Sequence, residues 1–185
     1  MAYDEKITDE RVRIVSYDPA WPHRFDQEKP LLEDSIGPWV TGGIHHVGST
    51  AVVGLAAKSV VDILVGVKDL PSSRDCIEVL AQLEYRYAPY RNDVMHWFCK
   101  PDPGHRTHHL HLVPTGSRRY RAELVFRDAL RASHELAGEY AGLKQRLAAE
   151  HADNRESYTE AKQDFIANVL ASVMPPDDLS SQVLR

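Results

Sequence analysis

Cysteine is scarce in this chain of 185 residues: Cys76 and Cys99 are the two it has. They stand at neither metal-knuckle nor redox spacing, which argues against a disulfide framework and predicts reduced thiols in a cytoplasmic protein. No apolar run reaches the length of a membrane span, and the first residues are too charged to read as a signal peptide. Charge of one sign is lacking as well. With 22 basic and 27 acidic residues the net charge is −5, so bulk nucleic-acid binding is not expected and any basic site must be local. Gly37, Gly42 and Gly43 do not space as a P-loop or a dinucleotide fingerprint. Ser49 has Thr50-Ala51 after it rather than a Gly two residues on, so a hydrolase elbow is missing. Linkers, low-complexity segments and long internal repeats are absent too.

A hydrophobic content of 43% against 26% charged residues is that of a soluble globular protein with a real core. Residues 1–174 are expected to form one domain and 175–185 a loose tail. The ten histidines are the unusual titratable group, since imidazoles charge near neutral pH. Val12 to Ser16 alternates like a short strand, and Trp21, Phe25, Leu31 and Leu32 space as an amphipathic helix that Pro30 breaks or kinks. Ile44 to Val47 predicts a strand, Val60 to Val67 the central strand, and Pro71 to Leu83 a helix capped by Ser72 and Ser73. Tyr85 to Tyr90 and Val94 to Lys100 read as a strand pair, Pro101 to Gly104 as a turn and Arg106 to Val113 as a further strand. From Ser117 the chain is helical, with stripes Leu136, Tyr140, Leu143, Leu147 and Tyr158, Ala161, Phe165, Val169. The order predicts an α/β (α+β) fold, a mixed sheet backed by helices with a C-terminal helical segment.

The chemistry concentrates in one stretch. Val60 to Val67 is β-branched and Leu-rich, as in a strand buried on both faces, yet it contains Asp62. A buried carboxylate without a partner is costly. Just upstream, Gly48 and Ser49 form a turn whose N–H groups and hydroxyl suit a phosphate. A phosphate cradle followed by a strand Asp fits metal-assisted phosphoryl or nucleotidyl transfer. The alternative is that Gly48 serves a tight turn and Asp62 pairs with Lys58. Period two puts His109 and His111 on one strand face and His108 on the other, so Asp62, His109 and His111 can make a divalent-metal site (Mg, Mn or Zn), with His46 near the same turn. Tyr140/Lys144 and Tyr158/Lys162 are i,i+4 pairs: facing a cleft they offer ammonium groups to phosphate, facing outward they are snorkelling lysines. Arg118, Arg119 and Arg121, with Arg127, are the densest basic cluster. Arg127 and Asp128 are neighbours that point apart, so no ion pair is expected between them.

His46-Val47-Gly48-Ser49-Thr50-Ala51-Val52, Gly54-Leu55-Ala56-Ala57-Lys58 and Asp62-Ile63-Leu64-Val65 together resemble the signature of the GrpB family. So do Tyr17-Asp18-Pro19-Ala20-Trp21-Pro22, Leu110-His111-Leu112, Phe126-Arg127-Asp128 and Tyr158-Thr159-Glu160-Ala161-Lys162. Proteins of that family are similar to the nucleotidyltransferase superfamily, which implies a nucleotidyltransferase-like fold and favours Tyr158 and Lys162 over the first Tyr/Lys pair. The resemblance also implies a second carboxylate two residues after Asp62, where this chain has Leu64, and a third on the later strand, where it has His109 and His111. The expected function is a transferase-like enzyme acting on a nucleotide or another phosphorylated or acidic small molecule. Asp62 and His111 would be catalytic or metal-bound, Gly48 and Ser49 would cradle phosphate, and His46, Lys58, Arg127, Tyr158 and Lys162 would bind substrate. The rival is a non-catalytic ligand-binding or accessory module, since GrpB-like domains occur fused to a coenzyme A biosynthetic kinase. Either form is compatible with a homo-oligomer.

Overall fold

In the computed structural model, which describes residues 11–175, five strands form one mixed sheet in the order β1-β2-β5-β4-β3. They are β1 (Val40–Val47), β2 (Val61–Val67), β3 (Arg86–Ala88), β4 (His96–Asp102) and β5 (His105–Pro114). β2 runs parallel to β5, and the other neighbours pair antiparallel. The middle strand is therefore β5. The run expected at the centre, β2, sits one place over, but it is still buried on both faces because helices cover both.

Alternation in β2 and β5 divides the molecule. Val61, Ile63, Val65 and Val67, with Leu110 and Leu112, point into an apolar core. That core is sealed by α1 (Ala20–Ile36) and α2 (Cys76–Ala81) through Trp21, Leu32, Ile36, Cys76 and Leu80. On the opposite face Leu64 and Val113 pack with Val47, Met95 and Tyr120. Nearer the start of β2 and β5 on that face stand Asp62, His109 and His111, so the apolar packing gives way to polar groups there. Cys76 and Cys99 are both buried free thiols.

The helical half follows β5 as α3 (Arg118–Ala132), α4 (His134–Glu150), α5 (Arg155–Glu160) and α6 (Gln163–Val173). Ser117, Ser133 and Asn154 cap the first three by accepting from Tyr120, Leu136 and Ser157 N–H groups, which satisfies donors that helix starts leave orphaned. Val52, Leu55, Leu130 and Tyr140 tie this half to the loop after β1.

Several local expectations are corrected. α1 runs unbroken through Pro30, which lies on its exposed side, where water can serve the carbonyl that Pro leaves unpaired. Leu31 is on the exposed side too. The Pro71–Leu83 helix contracts to α2, and the cap upstream is Asp69, whose carboxylate accepts from Ser72 N–H at 2.8 Å. Val12–Ser16 forms only a bridge, Val15 to Ala57. β4 runs on through Pro101 to Asp102, so the turn is shorter than expected. The Tyr158–Val169 stripe is split between α5 and α6 at Ala161-Lys162. Arg127 and Asp128 do pair, Nε donating to Oδ1 at 2.8 Å, because both side chains curl to one side of α3. Among the described residues no helix is long and apolar enough to cross a membrane. The tail residues 176–185 lie outside the described residues.

Candidate functional site

Between the polar part of the sheet face and the helical half lies a cavity of about 740 Å³. Register builds its floor: Asp62 of β2 pairs opposite His109 of β5, and Leu64 opposite His111. His109 Nδ1–H donates to Asp62 Oδ1 at 2.8 Å, and Arg155 Nη2 donates to His109 Nε2 at 3.0 Å. That pairing fixes one tautomer and a neutral ring. Burial agrees with it, pushing the His109 pKa down although Asp62 pulls the other way. Burial works against the Asp62 charge, but the His109 bond and the nearby Lys162 outweigh it and hold the carboxyl below its ordinary range.

His111 is held differently. Its Nδ1–H donates to the Glu123 carboxylate at 3.1 Å, and Arg119 Nη2 donates to the same carboxylate at 2.9 Å. Burial opposes the Glu123 charge, yet His111 and Arg119 keep its pKa lowered. With Nδ1 committed to Glu123, Nε2 is the nitrogen of His111 that can meet a ligand.

The roof carries both Tyr/Lys pairs. Lys144, almost wholly buried, donates to Ser49 Oγ at 2.9 Å and Ala56 O at 2.5 Å, with its Nζ 4.7 Å from the centre of the Tyr140 ring. Lys162 Nζ lies 4.3 Å above Tyr158. Desolvation, reinforced by Lys162, pushes Lys144 down to about 7, with Asp62 pulling it back up. Desolvation likewise lowers Lys162 to about 8 against the pull of Asp62. Lys58, Arg91, Arg106, Arg118, Arg119 and Arg155 complete a cationic lining that meets the carboxylates of Asp62, Glu123, Glu156 and Glu160. In a chain of net charge −5, this gathering of cations among the described lining residues is local.

Gly48 closes the turn at a φ of 70°, a conformation that L side chains rarely adopt. A Cβ there would stand 2.4 Å from Asp62 Oδ2. The turn and the strand carboxylate are therefore close neighbours.

Of the residues singled out from sequence, Gly48, Ser49, Lys58, Asp62, His109, His111, Tyr158 and Lys162 all line the cavity. His46 does not. It points to the α1 side of β1, stacked on Phe25 at 5.0 Å and bonded to Thr50 Oγ1 at 3.0 Å, where burial lowers its pKa to about 4. Arg127 is also elsewhere, its Nη1 on the His46 carbonyl at 3.1 Å. Glu123, Arg119 and Arg155 were missed as partners of the two imidazoles, and Lys144 was ranked below Lys162. The i,i+4 spacing of Arg119 and Glu123 was the available signal for that pair.

The donor set is a poor fit to a divalent ion. His109 has both ring nitrogens engaged, and His111 is tied through Glu123 to Arg119. The lone pair of His109 Nε2 is thus turned to the Arg155 guanidinium, and His111 Nε2 is the one imidazole nitrogen of the two rings left for a ligand. Among the described residues no three His, Cys, Asp or Glu side chains are grouped to hold an ion, so Asp62, His109 and His111 do not form the ligand trio expected from their strand face.

A family model described as GrpB protein matches residues 11–172. The chain is 33% identical over 156 residues to UPF0157 protein YqkA of Bacillus subtilis, a stretch covering 84% of this chain and 45% of that protein. It is 37% identical over 177 residues to a UPF0157 protein of Pseudomonas aeruginosa, covering 90% and 69%. The chain thus spans under half the length of the Bacillus relative. Among solved structures it is similar to the conserved protein GrpB from Enterococcus faecalis, with a TM-score of 0.78, 28% identity and coverage of 86% of this chain and 96% of that one.

Proposed function

This chain belongs to the GrpB family, and on that footing we propose that its cavity binds a phosphate-bearing small molecule of nucleotide size and acts on it as a transferase-like enzyme. The observation that carries the reading is the lysine pair. Lys144 is buried with a hydroxyl and a carbonyl as its hydrogen-bond partners, and Lys162 reaches the same space. Two desolvated ammonium groups side by side are unfavourable, and an anionic ligand supplies the charge they lack. Ser49 and the Gly48 turn adjoin Lys144 and would hold a phosphate between the floor and the roof. His111, oriented by Glu123, is the group for acid–base work, taking the proton of an acceptor hydroxyl at Nε2. His109 is already committed at both nitrogens and serves to position Asp62.

A non-catalytic module is favoured by one observation. Leu64 is fully buried in an apolar cluster at the position where a second carboxylate would have to stand. Binding alone does not separate the two readings; turnover of the bound phosphate compound does.

The test is calorimetric titration of the full chain with adenosine 5′-monophosphate, against Lys144→Met and Lys162→Met. Binding in the parent, weakened roughly tenfold or more in either variant through loss of a charge-assisted bond, is expected. A parent that does not bind, or variants that bind equally well, would overturn the proposal.

A further inference from the structure

Across the sheet the cavity floor changes character. Register sets Asp62 of β2 opposite His109 of β5, and His111 of β5 opposite Trp97 of β4. β1, which leads into the Gly48 turn, stands three strand intervals from β4, about 14 Å at the usual spacing. The phosphate cradle and the indole of Trp97 are thus at opposite ends of one floor, with the imidazoles between them.

At the Trp97 end, planar groups converge. Trp97 is half-buried and packs on the cluster of Val47, Leu64 and Met95, which holds its ring. Tyr90, from the loop after β3, meets it edge-on, with ring centres 6.2 Å apart and planes at 70°. Two rings at that angle make a corner, where a flat molecule can stack on one wall and meet the edge of the other. Arg91 lies over Tyr90 at 5.3 Å and Arg106 over Trp97 at 5.5 Å; guanidinium planes stack on bases as rings do. All four residues line the cavity. The backbone here is shaped at some cost. Arg91 takes a φ of 49°, which residues with side chains adopt rarely, and its carbonyl accepts from Val94 and Met95 N–H at 3.0 and 3.1 Å. Strain of this kind gathers at ligand clamps. Tyr90 is left 43% exposed, so its ring has apolar area still to give.

Other rings of the lining are committed elsewhere. Tyr140 and Tyr158 are buried with Lys144 and Lys162 over their faces, and Tyr140 is also stacked on Phe165 and edge-on to Phe126. We propose that the Tyr90–Trp97 corner seats a planar aromatic ring of the ligand whose phosphate lies at Ser49 and Lys144. The ligand class is then a nucleoside phosphate rather than a phosphorylated sugar or acid. This rests on the reading of the main cavity as a phosphate site and adds the opposite end to it. With the base at the corner and the phosphate at the turn, the strand order carries the sugar over β5, where His111 stands.

Calorimetry on the full chain with adenosine 5′-monophosphate and ribose 5-phosphate, the same phosphate on the same pentose without the base, tests it. Tyr90 is exposed, so Tyr90→Ala should fold, which its melting curve checks. The nucleotide should bind the parent roughly tenfold tighter than the sugar phosphate, as base stacking on an aromatic ring provides. In Tyr90→Ala the two compounds should bind nearly alike, and in a folded Trp97→Leu chain as well, while Tyr90→Phe, which keeps the ring, should retain the difference. Equal affinities on the parent, a difference undiminished in Tyr90→Ala, or one lost with the hydroxyl alone in Tyr90→Phe would overturn this proposal and leave the phosphate site standing. A parent that binds neither compound would overturn the reading of the main cavity and this proposal with it.

Discussion

The two faces of the sheet gather the same three kinds of side chain and use them differently. On the α1 face, Lys100 Nζ meets Glu28 at 2.8 Å and lies 5.2 Å over Tyr85, with His108 beside the pair. On the cavity face, Asp62 holds His109, with Arg155, Lys144 and Lys162 around them. β5 supplies both imidazoles from consecutive positions. The α1 face is closed, and its carboxylate and ammonium answer each other. The cavity face is open, and among the described residues that line it cations outnumber carboxylates. Buried charge therefore does not mark a site by itself; buried charge that lines an open cavity does.

Breaking the closed face gives the largest expected effect. Lys100→Met should cost about 3 kcal/mol in urea unfolding, because Glu28 is left as a buried charge without its partner. Adenosine 5′-monophosphate affinity should not change. A variant as stable as the parent, or one that loses the ligand, would erase the distinction between the faces.

On the open face, Gly48→Ala combines a backbone that disfavours side chains with a Cβ driven against Asp62, whose carboxylate His109 holds in place. A loss of about 2 kcal/mol is expected, with phosphate affinity reduced in the fraction that folds. Unaltered denaturation and unaltered titration together would show that the turn has slack.

How much of this was legible beforehand follows from distance along the chain. The strand with Asp62, the turn at Gly48 and the shared face of His109 and His111 all come from period two and local chemistry. Sequence carries those directly. The placement of His46 turned on which face of β1 it occupies, and with Val47 opposite Asp62 in register, His46 had to face α1. The partnerships of Glu123 with His111 and Arg155 with His109 cross from helix to strand, which no local spacing encodes. Lys144 was hidden for another reason. An i,i+4 Tyr/Lys pair looks the same whether it snorkels or faces inward, and only the packing of α4 on the loop after β1 decides.

Asp62→Asn sharpens the contrast between a paired and an unpaired face with a smaller effect. Asn keeps an acceptor for His109 but removes the charge that pulls both lysines towards protonation. The folded Asp62 pKa is depressed, so its contribution to stability is present above the unfolded carboxylate pKa and lost as the pH falls through that range. The variant should be about 1 kcal/mol less stable at pH 7, with the gap narrowing as the pH falls below about 4. Urea melts at several pH values follow it, and a gap that does not narrow would mean the carboxylate acts through shape alone.

The smallest stability change is expected at Lys144. Lys144→Met leaves Ser49 Oγ and Ala56 O without their donor but removes a desolvated ammonium, and the two nearly offset, to within about 1 kcal/mol at pH 7. The dependence on pH is more telling than the size. Folding lowers this lysine from 10.5 to about 7, so between those values the unfolded chain holds a proton that the folded chain has released. Stability must then rise with pH across that window. The parent should gain on Lys144→Met from pH 7 to pH 9, while Lys162, at about 8, contributes its own slope to both chains alike. A bound phosphate reverses the shift by giving the ammonium its counter-charge, so ligand binding near pH 8 should take up protons in the parent and fewer in the variant. Calorimetry in two buffers of different ionisation enthalpy reads that uptake directly. Proton release, or uptake equal in both chains, would place Lys144 among the ordinary charges and leave the cavity face no more poised than the closed one.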